Sequence, residues 1–134
     1  MNLLITGGCG HIGSYIIEHI NKIKKIKKTI VIDNLMTTQI NSLFNNKKRN
    51  NLKFHIRDLA KKNSLNDFKK IDYVIHLASM TNAEGSFYKK KEMYKNNLNC
   101  MKNIINFCIK KKSKLIHISS TSVYGKQASL VDET

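Results

Sequence analysis

A doubly wound, parallel α/β sheet of five strands is the fold this sequence predicts, and three observations predict it. The apolar run Asn2 to Thr6 passes directly into a glycine-rich turn and then into the amphipathic stretch Ser14 to Ile23. Short apolar runs then alternate with longer helical or polar segments along the rest of the chain, the pattern of parallel strands joined by right-handed crossovers. The second apolar run ends in a carboxylate, Asp33, 20 residues after Gly13. A chain of 134 residues suits one domain, residues 1–134, with no room for a second.

Periodicity places strands at 2–6, 29–33, 52–56, Tyr73 to Leu77 and Lys114 to Ser119. Helices are expected over 11–24 and from about 86 to 111, with shorter ones at 38–46 and 61–67. Lys47 to Asn51 is expected to be a hydrophilic surface loop. Two βαβ halves meeting at the first strand give the order 3-2-1-4-5. A ligand crevice then lies between the C-terminal ends of the first and fourth strands, where the order reverses. Along the long helix Met93, Asn97, Met101, Ile104 and Cys108 share one side, mostly a core stripe. Asn97 is the anomaly there: a buried amide needs partners, so it either ties down neighbouring backbone or faces the ligand site.

Leu3 to Gly13 reads LLITGGCGHIG, with glycines at Gly7, Gly8, Gly10 and Gly13. Glycine allows a turn with positive φ and lets backbone N–H groups approach a pyrophosphate that a Cβ would hold away. Gly13 lets the following helix pack closely on the strand. Asp33 stands where the Rossmann-like fingerprint puts the acid that hydrogen-bonds an adenosine ribose. Asn34 and Leu35 follow it, with no Arg to accommodate a 2′-phosphate, so the cofactor read from these residues is NAD rather than NADP. The plainer alternative is a tight turn in an unrelated α/β protein, with Asp33 a strand-end cap.

The formal charge of +15 raises a nucleic-acid reading, which the distribution of the charges opposes. The cations are nearly all Lys, in separate short runs at helix ends and loops, without interleaved aromatic residues for stacking. They read first as solvated surface, although a positive field would also draw dianionic nucleotides toward the cleft. Cys9, Cys100 and Cys108 form no Cys-x-x-Cys pair and read as reduced packing residues. Cys9, inside the glycine turn, is either a spacer or a thiol activated by the helix dipole. Met1 leads directly into a strand with no targeting segment and no apolar run of membrane-spanning length, so a cytoplasmic location is expected.

Six ordered motifs resemble the extended short-chain dehydrogenase/reductase family, specifically its NAD-dependent sugar epimerases and dehydratases, of the UDP-glucose 4-epimerase type. They are TGGCGHIGS at Thr6 to Ser14, VIDNL at Val31 to Leu35, RDL at Arg57 to Leu59, HLAS at His76 to Ser79, NNLNCMKNI at Asn96 to Ile104, and SSTSVYG at Ser119 to Gly125. The resemblance implies that Gly7, Gly10, His11, Ile12 and Gly13 take the pyrophosphate and that Asp33 and Asn34 hold the ribose. It implies that Asp58 accepts from the adenine amino group while Leu59 packs on the ring; taken alone, Asp58 reads as a strand-end cap for the next segment. Leu77, Ala78 and Ser79 would line the crevice near the nicotinamide half, with Asn97 bracing that loop or reaching the cofactor. Ser120 would be the catalytic hydroxyl, against a plainer reading as part of a Ser/Thr-rich turn.

The family's proton acceptor is the Tyr of a Tyr-x-x-x-Lys pair. None of Tyr15, Tyr73, Tyr88, Tyr94 and Tyr124 has Lys four residues on. The pair is expected beyond Thr134, so the chain is expected to be the cofactor-binding half of a longer enzyme, truncated before the catalytic Tyr helix. Its edge at Leu115 to Ile118 should then be unpaired and prone to association. Thr81 stands where the family's galactose epimerases carry Lys, and Cys100 and Met101 replace a Gly-Thr pair. The leading expectation is a nucleotide-sugar epimerase or dehydratase, homodimeric when intact. The alternatives are a non-catalytic NAD-binding module and, remotely, a basic nucleic-acid binder.

Overall fold

β1 (Asn2–Thr6) is buried along nearly its whole length, and the other strands are arranged around it. The computed structural model describes residues 1–36, 50–81 and 86–119. β2 (Lys28–Asp33), β3 (Leu52–Ile56), β4 (Tyr73–His76) and β5 (Lys114–His117) complete a five-stranded sheet in the order β3-β2-β1-β4-β5. Every neighbouring pair is parallel, with Ile5 opposite Val31 on one side and Ile75 on the other. The predicted order holds. A central strand covered on both faces has no solvent side, which is why Leu3, Leu4 and Ile5 form a continuous apolar run instead of alternating.

Side chains alternate between two cores. Leu3, Ile5 and Val31 pack with Ile17 and Ile20 of the α1 segment (His11–His19 and the 3-10 turn Ile20–Lys22). Leu4, Ile30, Ile32 and Val74 pack against α2 (Ser86–Lys111) through Cys100, Ile104, Phe107 and Cys108. The predicted stripe is therefore correct at Ile104 and Cys108, while Met93, Asn97 and Met101 are half-buried on its flank and Cys100 and Phe107 complete it.

The departures from expectation are local. α1 ends at His19, five residues early, because the chain must turn back sharply to enter β2. The 3-10 bond from Ile23 N–H to Ile20 O begins that turn, and Lys27 N–H to Met1 O together with the Met1 amino group on Lys25 O fasten it to the start of β1. The expected helix at 61–67 is a string of turns: Asn63 has φ 64, which stops helical propagation, and Leu65 and Phe68 turn into the core instead. The expected helix at 38–46 lies outside the described residues.

α2 closes with Ser113 N–H on Cys108 O (2.9 Å) and Lys112 N–H on Ile109 O (3.3 Å), a Schellman pair that puts Lys112 at φ 55. Beyond it, Ser113 Oγ donates to Ile71 O and Lys114 N–H to Asp72 O, setting β5 against β4. β5 pairs with β4 alone among the described strands. Beside that edge Ile109 is 72% exposed and Ile116 46%, an apolar surface of the kind expected at Leu115 to Ile118.

Two outcomes follow for stability. Lys112→Gly should stabilise the chain by about 0.5–1 kcal/mol in urea unfolding, because glycine occupies the left-handed position without the Cβ penalty. Ile104→Ala should cost about 2–5 kcal/mol in the same assay while Ile109→Ala stays within about 0.5.

Candidate functional site

The C-terminal ends of β1, β2 and β4 converge on one crevice, at the point where the strand order reverses. At its floor the β1–α1 turn approaches β4 backbone to backbone. Gly7 has φ +70, and a Cβ there would lie 2.7 Å from Ala78 N. Any side chain would force the two loops apart. Gly13 is shut in the same way by Gly7 O and the Gly8 backbone, so α1 rests directly on the turn. Gly7 N–H donates to Ile32 O at 2.8 Å, which ties the turn to β2 as well.

α1 begins at Gly10 with no side-chain cap and no acidic residue in its first turn. The N–H groups of His11, Ile12 and Gly13 open the helix, where the positive end of its dipole faces the crevice. His11 and Ile12 are exposed and Gly13 is buried. An uncapped helix mouth set above two glycines that exclude a Cβ is shaped for an anion bound through backbone N–H groups.

Asp33 stands beside this mouth, half-buried. Its Oδ2 accepts from Cys9 N–H at 2.9 Å and its Oδ1 from Leu35 N–H at 2.8 Å. Leu35 takes φ 58, and the exposed Asn34 closes a turn by accepting Met36 N–H. Burial, the charge of Asp33 and a hydrogen bond to it push the Cys9 thiol up to about 12. The activated-thiol reading of Cys9 is thereby corrected: the adjacent carboxylate and burial outweigh the helix dipole, leaving a packed, protonated spacer.

Asp58, after β3, accepts Ala60 N–H at 2.9 Å through Oδ1, so the cap read as its plainer role is present. Leu59 is 3% exposed and packs inside the α2-side core. Leu77 and Ala78 are half-buried above Thr6, and Ser79 is exposed. Asn97 resolves to the bracing role. Its Oδ1 accepts Met80 N–H at 2.8 Å and its Nδ2 donates to Met80 O at 3.1 Å, a two-point hold on the loop after β4. Ser120 and Tyr124 lie outside the described residues.

Two supports went unread in the sequence. Asn103, six residues after Asn97 on α2, donates to Leu59 O at 2.7 Å and Lys61 O at 3.1 Å, so one helix holds the loops after both β3 and β4. The signal was the same as for Asn97, an amide among apolar helix positions. The second support is buried Thr6, whose Oγ1 lies 2.7 Å from His76 Nδ1 and accepts the N–H of Leu77 and Ala78 at 3.3 and 3.4 Å. His76 stacks on His117 at 5.6 Å, its partner in the β4–β5 register. Burial, and then the neighbouring His117, lower the His76 imidazole to about 4.

Three lysine runs, Lys22 to Lys28, Lys69 with Lys70, and Lys110 to Lys114, precede β2, β4 and β5, at the opposite end of the sheet from the helix mouth. A cavity of about 320 Å³ lined by Asn2, Lys28 and Ile71 belongs to that far end also. Lys61 with Lys62 after β3 and Lys89 to Lys91 in the first turns of α2 follow strand ends on the crevice side, so cations stand at both ends of the sheet. Among the described residues no helix is long and apolar enough to cross a membrane, and no group of His, Cys, Asp or Glu could hold a metal ion.

Comparison with known proteins gives a consistent match. Residues 3–134 fit the NAD dependent epimerase/dehydratase family. The chain is 36% identical over 128 residues to a dTDP-D-glucose 4,6-dehydratase of Dictyostelium discoideum, covering 92% of this chain and 30% of that protein. Among solved structures it is similar to the UDP-N-acetylglucosamine 4-epimerase from Methanobrevibacter ruminantium M1, at 31% identity and TM-score 0.85, over 99% of this chain and 42% of that one. A UDP-glucuronic acid 4-epimerase from Bacillus cereus in complex with NAD matches at 26% identity and TM-score 0.83, over 99% of this chain and 44% of that one. The chain therefore spans well under half the length of these relatives.

Gly7→Ala should cost about 3 kcal/mol or more in urea unfolding, from the strained φ and the contact with the Ala78 backbone together. The His76 linkage has a definite sign. Its folded value near 4 lies below the ordinary 6.5, so the unfolded chain binds the extra proton and stability falls as pH drops through that window. The loss should be about 2–3 kcal/mol between those limits, and His76→Gln should flatten the slope of unfolding free energy against pH.

Proposed function

The chain belongs to the NAD-dependent epimerase/dehydratase family, and from that premise we propose that residues 1–134 form the NAD-binding part of an enzyme acting on nucleotide sugars. The observation that carries this reading is the uncapped α1 mouth above Gly7 and Gly13, with the Asp33 carboxylate beside it. These features fit a dinucleotide: N–H donors for a pyrophosphate, close approach secured by glycine, and an acceptor for ribose hydroxyls.

In this reading Gly7, Gly10, His11, Ile12 and Gly13 receive the pyrophosphate, and Asp33 with Asn34 receives the adenosine ribose. Asp58 accepts from the adenine amino group, with Leu59 packed beside the ring. Leu77, Ala78 and Ser79 border the nicotinamide side, held in place by Asn97 through Met80. NAD, when bound, supplies a reversible hydride acceptor, which is what epimerisation or dehydration through a keto sugar requires. The Ser120 hydroxyl hydrogen-bonds the sugar oxygen that loses its proton. The Tyr that takes this proton and the Lys that lowers its pKa are assigned to polypeptide beyond Thr134, since no Tyr-x-x-x-Lys occurs in these residues. A cytoplasmic location and a homodimer of the intact enzyme complete the proposal, and three buried cysteines outside any disulfide suit a reducing compartment.

Titration of the chain with NAD by calorimetry tests the reading. Saturable binding is expected, and Asp33→Ala should weaken it by about tenfold or more, the loss of charge-assisted hydrogen bonds to a ribose. Equal affinities for the two proteins, each shown folded by near-ultraviolet circular dichroism, would remove Asp33 from the site.

A further inference from the structure

The segment from Arg57 to Phe68 carries Asp58 yet contains neither strand nor helix, so no backbone ladder holds its shape. Side chains do that instead. The Arg57 guanidinium grips Asp67 with both arms, Nη1 to Oδ1 at 2.5 Å and Nη2 to Oδ2 at 2.6 Å. Nη1 also donates to Ser64 O at 2.8 Å, and the guanidinium lies 4.7 Å from the centre of the Phe68 ring. Phe68 is itself buried and meets His55 edge-on. The Arg57 backbone N–H donates to Asp33 O at 2.8 Å. One residue therefore joins the end of β2, which bears the ribose acid, to the whole turn after β3.

We propose that Arg57 is a positioning residue for the adenine subsite: its fork on Asp67 and Ser64 fixes the neighbouring Asp58 carboxylate where it can select an amino-bearing purine. The inference rests on the adenine role given to Asp58 above. Arg is suited to the task because its planar fork matches a carboxylate at two points, which fixes direction as well as distance. The pair is also placed so that its effect on binding separates from its effect on folding. Asp67 is 57% and Arg57 27% exposed, and ion pairs so exposed contribute little to global stability. Ala60 N–H holds Asp58 Oδ1 at 2.9 Å and Asn103 holds the same segment at Leu59 and Lys61, so loss of the fork loosens the turn that carries the Ala60–Asp58 contact without releasing the loop from the core.

The test compares NAD with its hypoxanthine analogue, in which an oxygen replaces the adenine amino group. The ratio of the two dissociation constants isolates the purine edge, where the amino donor becomes a carbonyl and N1 becomes an N–H donor, because ribose, pyrophosphate and nicotinamide are unchanged; the part of it lost in Asp58→Ala is the part Asp58 reads. Wild type should prefer NAD by about tenfold, and Asp58→Ala should lose that preference. Arg57→Gln and Asp67→Asn should each reduce the ratio toward one, with little change in Tm, and Arg57→Lys should recover only part of it. Asp67→Asn, at an exposed position, serves if Arg57→Gln fails to fold. A wild-type preference that disappears in Asp58→Ala but persists in folded Arg57→Gln and Asp67→Asn would overturn the positioning role and leave the Asp58 reading intact. Absence of any preference in wild type would overturn both, while NAD binding sensitive to Asp33 would still uphold the dinucleotide site.

Discussion

The backbone of Gly7 passes so close to Ala78 that no β-carbon fits between them, and the geometry of the site follows from that approach. It sets the depth at which the β1–α1 turn lies between β2 and β4. Gly13 repeats the constraint one step along, seating the first turn of α1 on the same glycines. The helix mouth is therefore aimed by contacts between main-chain atoms, which have no rotamers to relax. This accounts for a turn built from small residues in a core otherwise made of Leu, Ile and Val.

Polar side chains extend this rigid centre outward. Asp33 spans the glycine turn and the end of β2, Thr6 joins β1 to the loop after β4, and α2 reaches across with Asn97 and Asn103 to the loops after β4 and β3. Each of these groups bonds backbone, Thr6 meeting the His76 side chain as well, so it fixes the path of a loop. The charge distribution is complementary to this arrangement. Lys22 to Lys28 and Lys110 to Lys114 lie at the far end of the sheet and Lys61 with Lys62 and Lys89 to Lys91 at the near one, while the helix mouth itself presents N–H groups and a dipole, which act at short range and with direction.

The sheet was legible in the sequence because its signals are local. A strand buried on both faces reads as an unbroken apolar run, and glycine followed by an amphipathic stretch marks the first crossover. Asp33 was legible from its spacing alone. Asn97 was legible as an anomaly, although choosing between bracing and ligand contact required the loop it holds. What escaped depends on contacts distant in sequence. The early end of α1 follows from fastening Lys27 to Met1, and the absence of a helix at 61–67 follows from Asn63 in a left-handed conformation. The low affinity of His76 for protons depends on burial and on His117, brought alongside only by strand pairing.

Dinucleotide recognition by main-chain N–H groups is tested by a map of backbone amide shifts in NMR during addition of NAD. It predicts saturable shifts concentrated at Gly7 to Gly13, with further changes at the ends of β2 and β4 and none at the loops around Lys22 to Lys28 or Lys110 to Lys114. Shifts confined to those lysine-bearing loops, with the glycine turn unmoved, would contradict it.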